Sequence, residues 1–257
     1  MKIFKFILAV CLPGLVSAQV VSPQLQDTVP TRQSMMLRGQ NPPSVQSFIV
    51  PAVFVTYGLI SLGNNAVRRL DYSTKAEITE DHPLFAHHLD NYMQFAPAAA
   101  VFGLDLLGIK GKHKASDQLG LYVLSEAIMG ISTGGVKRMA KRLRPDGSNN
   151  YSFPSGHTAN AFAAAEFLNQ EYRDVSPWIG YAGYTVATAT GMLRLYNNKH
   201  WVSDVVAGAG FGIASTKIAY LLYPHLKKLV FGKQTMHYSM VPTYQQKAAG
   251  IAFNATF

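Results

Sequence analysis

Six apolar segments, at 46–67, 94–109, 118–136, 158–170, 178–193 and 205–223, dominate this chain. Each is long enough for roughly three to six turns of helix. Their Ala, Leu, Gly and Met content favours helices over strands. Elements of this kind bury their apolar faces against one another, which predicts an all-α fold, a bundle of about six helices. A polar stretch from Arg68 to Asn91, containing His82, His87 and His88, follows the first of them. At 48% hydrophobic and 14% charged, the chain is apolar beside an ordinary soluble domain, which carries about 25% charged residues. That balance excludes disorder. The single cysteine, Cys11, excludes a disulfide scaffold.

The bilayer question stays open at this level. Only 46–67 and 175–193 combine at least 18 charge-free residues with high apolarity. The other segments carry Asp105, Glu126, Glu166 and Lys217, each of which must face a bundle interior or a wet cavity if the helices are embedded. Basic clusters at Lys110–Lys114 and Lys227–Lys228 favour cytoplasmic placement, with 137–157 and 194–204 on the outside. At the amino terminus, Lys2 and Lys5 precede the apolar run Phe6–Val16, and Val16-Ser17-Ala18 supplies a cleavage pattern. Residues 1–18 therefore read as a secretory signal peptide. Its removal would start the mature chain outside and invert that topology, so the two signals conflict. A flexible lead-in at 19–45, a helical domain at 46–231 and a tail at 232–257 complete the division. Weak alternation in Tyr238–Tyr244 and Gly250–Phe257 predicts a short C-terminal β-hairpin.

Three polar patches interrupt the apolar plan. In Lys137-Arg138-Met139-Ala140-Lys141-Arg142-Leu143-Arg144-Pro145, five cations fall within eight positions. On a continuous helix Lys137 and Arg144, two turns apart, share a face with Lys141, and Pro145 ends the helix. A guanidinium and an ammonium aimed at one place suit a phosphate. In Phe153-Pro154-Ser155-Gly156-His157, Ser155 is an N-cap candidate and Gly156 admits a close ligand. The helix start that follows is an anion site, with His157 at its mouth as a proton donor. In Arg194-Leu195-Tyr196-Asn197-Asn198-Lys199-His200-Trp201-Val202-Ser203-Asp204, His200 and Asp204 are four apart. A carboxylate on one imidazole nitrogen leaves the other free to attack.

Lys-x6-Arg-Pro, Pro-Ser-Gly-His and Arg-x5-His-x3-Asp, in this order, resemble the type 2 phosphatidic acid phosphatase/haloperoxidase superfamily. The likeness covers roughly 115–225, and the six-segment plan extends it to about residue 46. The resemblance implies His200 as a nucleophile forming a phosphohistidine, Asp204 as its orienting partner and His157 as the acid for the leaving oxygen. It implies Lys137, Arg144, Arg194, Ser155 and Gly156 as the phosphate-binding set. Leu193 departs from the family's frequent Ser before the third-patch arginine, removing one supporting hydroxyl.

The expected function is thus a metal-independent phosphatase of the cell envelope, at the membrane with its site facing the periplasm, or in the periplasm. Its substrate class would be phosphatidate, polyprenyl diphosphate or a lipid A phosphate. The alternatives are a soluble periplasmic acid phosphatase on small esters and a vanadate-dependent haloperoxidase. No cofactor is expected. His82, His87 and His88 lie near Asp81 and Asp90, but adjacent histidines on a helix point about 100° apart, unlike the His-x3-His face of a zinc site. The formal charge of +9 concentrates at the first patch without a recognition motif, against a nucleic-acid partner.

Overall fold

The computed structural model describes residues 43–232, 237–245 and 248–256. The signal peptide and nearly all of the lead-in lie outside the described residues. A 3-10 turn at Val45–Phe48 opens into α1 (Ile49–Ile60), followed by α2 (Ala66–Asp81), the single turn α3 (Asp90–Met93) and α4 (Ala96–Leu106). Then come α5 (Ala115–Ala140), α6 (Gly156–Tyr172), α7 (Pro177–Tyr196) and α8 (Val202–Phe231). All six expected helices are present as α1 and α4 to α8. In the tail, β1 (His237–Gln245) pairs antiparallel with β2 (Ala248–Thr256), with His237 opposite Thr256 and Gln245 opposite Ala248.

α6 is the axis of the bundle. Thirteen of its side chains are buried, and it packs against α8, α7, α4 and α5. Alanines at 159, 161, 163, 164 and 165 leave little bulk on its surface, so its neighbours approach closely. On α8, Gly208 makes that approach specific: a Cβ there would stand 2.6 Å from the Ser155 carbonyl oxygen. Larger side chains fill the end away from Ser155, where Leu121, Phe167, Leu168, Tyr172 and Tyr220 form the main cluster. The Tyr172 hydroxyl donates to the Val101 and Ile109 carbonyls at 2.9 and 3.1 Å, tying α6 to α4 and to the turn that follows it.

The charges inside the apolar segments follow the stated requirement. Glu166 of α6 is 1% exposed and accepts from Lys217 of α8 at 2.7 Å and from Gln170 at 2.6 Å. Its other oxygen accepts from the Tyr184 hydroxyl of α7. A charge removed from water in this way persists because it is paired and hydrogen-bonded. Asp105 meets Lys110 at 3.5 Å near the end of α4.

The polar stretch from Arg68 to Asn91 begins as helix: α2 runs to Asp81, capped by the Asn65 side chain, which accepts from the Arg68 amide at 3.1 Å. Among the described residues, the helices long and apolar enough to cross a membrane are α5 and α8. The charge-free stretch 46–67 holds only the 12-residue α1 before a turn.

Candidate active site

The polar patches meet where α5 and α7 end and α6 and α8 begin. Lys137 sits in the last turn of α5, and its ammonium donates to the Tyr151 carbonyl at 3.2 Å and to that of Pro154. Those acceptors belong to the segment that delivers Ser155. Ser155 is the N-cap of α6 and its hydroxyl accepts from the Thr158 amide at 3.4 Å. The Ser155 amide in turn donates to the Asp204 carbonyl at 3.0 Å, fastening the start of α6 to the start of α8. Gly156 then leaves open space, with only the Lys137 side chain near, 3.9 Å from where a Cβ would be.

The first patch does not form one helical face. α5 stops at Ala140, and Lys141 takes a left-handed conformation with φ 43°. The residue before a proline disfavours helix, and Arg142 is drawn inward to buried carboxylates, so the chain leaves the helix axis before Arg144. A turn then places Arg144. Its amide donates to the Asn149 carbonyl at 2.9 Å, and its Nε donates to Asn149 Oδ1 at 3.1 Å. The next loop anchors to the same turn through Lys199 and Asp146, 2.7 Å apart. Partial burial works to raise the Asp146 carboxyl, but Lys199 and the Ser148 amide and hydroxyl outweigh it and hold it at about 2.

Arg194, in the last turn of α7, is 7% exposed and forms an ion pair with Asp90 of α3. Its carbonyl accepts from the Lys199 and His200 amides at 3.1 and 3.3 Å, turning the chain back toward α8. His200 is 3% exposed, with Nδ1 3.6 Å from Asp204 Oδ2. That spacing is an electrostatic contact, longer than a hydrogen bond. Burial pushes the His200 imidazole down to about 4; Asp204 opposes the shift and Arg194 and Lys137 add to it. Burial also holds His157 at about 4, followed by Arg194, with Asp90 opposing and Arg144 and Lys137 reinforcing. His157 Nε2 lies 2.7 Å from Asn91 Oδ1. Both imidazoles are therefore neutral near pH 7. Lys137, Arg144 and Arg194 all act on His157, so the three cations share one field.

Three of the four buried side-chain atoms without a hydrogen-bond partner among the described residues lie here: Asp90 Oδ1, Arg194 Nε and His200 Nδ1. Residues 118–228 match the family model described as the PAP2 superfamily. That segment is similar to PAP2 domains. Over 142 residues the chain is 43% identical to the lipid A 1-phosphatase of Porphyromonas gingivalis, covering 53% of this chain and 31% of that protein. Over 137 residues it is 27% identical to a probable lipid phosphate phosphatase beta of Arabidopsis thaliana, covering 40% of this chain and 64% of that one. The chain thus spans about a third and just under two thirds of the lengths of these relatives. A transmembrane PAP2-type phosphatidylglycerolphosphate phosphatase from Bacillus subtilis superposes with a TM-score of 0.47 at 22% identity, over 70% of this chain and 97% of that one. Aquifex aeolicus LpxE gives 0.42 at 21%, over 56% and 92%.

The three patches bring every expected side chain to this end of the bundle: Lys137, Arg144, Ser155, Gly156, His157, Arg194, His200 and Asp204. Sequence reasoning missed Asp90 and Asn91, which lie in the polar connection before α4. It also missed Asp71 and Arg142. Arg142 is one of the five cations of the first patch; its side chain is 9% exposed and bridges Asp71 and Asp204 at 2.6 and 2.8 Å.

Proposed function

We propose that this chain is a metal-independent phosphatase of the cell envelope, hydrolysing the phosphate of a lipid through a phosphohistidine. The observation that carries the reading is the convergence of Lys137, Arg144, Arg194, His157 and His200 around buried polar atoms that have no partner among the described residues. Phosphoryl transfer asks mainly for in-line positioning and neutralised charge. Three cations and the free amides at the start of α6 supply both.

His200 Nδ1 faces Asp204, so Nε2 is the attacking atom. It forms a bond to phosphorus as the phosphorus–oxygen bond to the lipid breaks, and His157 gives its proton to the departing oxygen. A water then attacks phosphorus, His157 takes its proton, and the phosphorus–nitrogen bond breaks to release inorganic phosphate. The dianionic phosphate reverses the field at His157: it offsets the cations that hold the imidazole neutral and favours the protonated acid. Binding thus arms the proton donor.

α5 supports a bilayer setting. Leu119, Val123 and Ile131 form an exposed apolar stripe at helical spacing, and Met139 is 84% exposed at the site end. From Leu119 to Met139 is twenty residues, about 30 Å at 1.5 Å per residue, the thickness of a hydrocarbon core. Lys110–Lys114 precede α5, and Lys227 of α8 pairs with Asp117 at 2.6 Å at that end, opposite the site. Basic residues favour the cytoplasmic side, which supports a site on the outside at the membrane–water boundary. Among lipid phosphates, the 43% identical lipid A 1-phosphatase favours a glycolipid phosphate.

The test is phosphate release from lipid A, phosphatidate, polyprenyl diphosphate and a soluble aryl phosphate, all in EDTA, by the wild type and His200→Ala. The expected result is release by the wild type from at least one lipid and none by the variant. Equal release by both proteins, or no release from any substrate, overturns the reading.

A further inference from the structure

Two buried residues upstream of His200 in the sequence are used by none of the steps above. Arg142 Nη1 donates to Asp204 Oδ1 at 2.8 Å, to Ser203 Oγ at 2.8 Å and to Ser61 Oγ at 3.1 Å, and Nη2 donates to Asp71 Oδ2 at 2.6 Å. Asp71 also accepts from the Ser203 amide at 2.9 Å and the Ser203 hydroxyl at 2.6 Å. The second Asp204 oxygen accepts from the Ser152 hydroxyl and from the Trp201 amide at 3.0 Å. Both oxygens of Asp204 are thereby held, and its carboxylate cannot turn. We infer that Asp71, Arg142 and Asp204 form a carboxylate–guanidinium–carboxylate relay that sets the orientation of His200, with Asp71 and Arg142 as positioning residues.

Burying three charges is a poor way to gain stability, since desolvation offsets most of the attraction. What the arrangement provides is geometry. A guanidinium is a planar fork able to satisfy two carboxylates at once, which an ammonium is not. Trp201 confines the fork, its ring centroid 5.4 Å from the Arg142 Cζ, and Tyr72 of α2 meets that indole edge-on at 5.0 Å. Asp71 and Tyr72 belong to α2, outside the segment that matches PAP2. A helix beyond the family segment thus reaches the nucleophile through one arginine. With Asp204 fixed, the His200 proton is drawn to Nδ1 and the lone pair of Nε2 stays directed at phosphorus.

The relay rests on the phosphatase reading, so its test carries a readout that does not. Wild type, Arg142→Gln, Arg142→Lys, Asp71→Asn and His200→Ala are compared for kcat and KM on the best lipid phosphate. In parallel, the His200 ring is titrated by NMR without substrate. His200 lines one cavity with Asp71 and Lys75 of α2 and feels Asp204 of α8, Arg194 of α7 and Lys137 of α5, while Arg142 of the loop reaches it through Asp204. Removing the Arg142 cation leaves two carboxylates uncompensated, so the His200 titration in Arg142→Gln moves up in pH. In Asp71→Asn, which removes a carboxylate, it moves down. For both variants kcat falls about 10- to 100-fold, the usual effect of losing an outer orienting partner, with KM within about twofold. Arg142→Lys keeps the charge and loses the fork: it titrates close to the wild type while kcat stays several-fold low.

Wild-type kcat in Asp71→Asn and Arg142→Lys, with unmoved His200 titration, overturns the relay. These two variants decide the matter if Arg142→Gln does not fold. If the wild type and His200→Ala release phosphate alike, the phosphatase reading fails, and the titrations alone test the relay.

Discussion

Among the buried charge clusters along α6, one at its start and one near its middle make a contrast. At the middle, Glu166 has every oxygen occupied, by Lys217, Gln170 and Tyr184. At the start, Arg194 Nε, Asp90 Oδ1 and His200 Nδ1 have no partner among the described residues. Both clusters are expensive to bury, yet only the one at the middle is closed. A closed cluster joins helices; an open one has room for a partner, and in the proposed reading the three cations around it select an anion. Gln118 Oε1, the remaining unpartnered atom, lies at the far end near Glu171.

This contrast can be broken by substitutions that separate turnover from folding. His200→Ala has the largest expected effect, a loss of at least about 1000-fold in kcat, the order seen when a nucleophile is removed, with an unchanged melting temperature. A comparable loss from Lys217→Met on the folded protein would place both clusters in the chemistry. Lys217→Met should instead destabilise by about 3–5 kcal/mol, because Glu166 is left buried and unpaired. The paired change with Glu166→Gln should restore much of that, measured by denaturation in detergent.

Acid titration offers a third separation. An ordinary histidine titrates near 6.5, but burial holds His200 and His157 at about 4. Their folded values lie below the unfolded one, so their contribution to stability is complete above about 6.5 and is lost as pH falls through about 4. NMR of the substrate-free protein should show both rings neutral at a pH of about 5.5, between those two values. A His200 transition near 6.5 would mean that its site is wet and open. The smallest effect is expected from Gly208→Ala, whose Cβ would press on the Ser155 carbonyl. About 1–3 kcal/mol of overpacking should appear as a lower melting temperature and a modestly raised KM, since Ser155 caps the helix proposed to bind the phosphate.

The sequence disclosed the apolar helices and the three motif patches, because each has a local signature: helical length, a cap, a proline, a fixed spacing. It hid α2 because that helix buries Asp71 and Thr74 instead of apolar side chains, so no hydrophobic period marks it. Arg142 was hidden among four other cations, and nothing local separates the one that turns inward. The left-handed turn at Lys141 was equally silent, since lysine carries no preference for it. What escaped was long-range: Asp71 meets Arg142 seventy-one positions away.

The main-chain bond from the Ser155 amide to the Asp204 carbonyl gives the site a frame independent of the side chains that act in it. Substituting His200 leaves that strap, the cap of α6 and the three cations in place. A protein lacking the nucleophile should therefore still hold a phosphorylated lipid without consuming it, and can serve as bait for retrieving the natural substrate from membrane extracts.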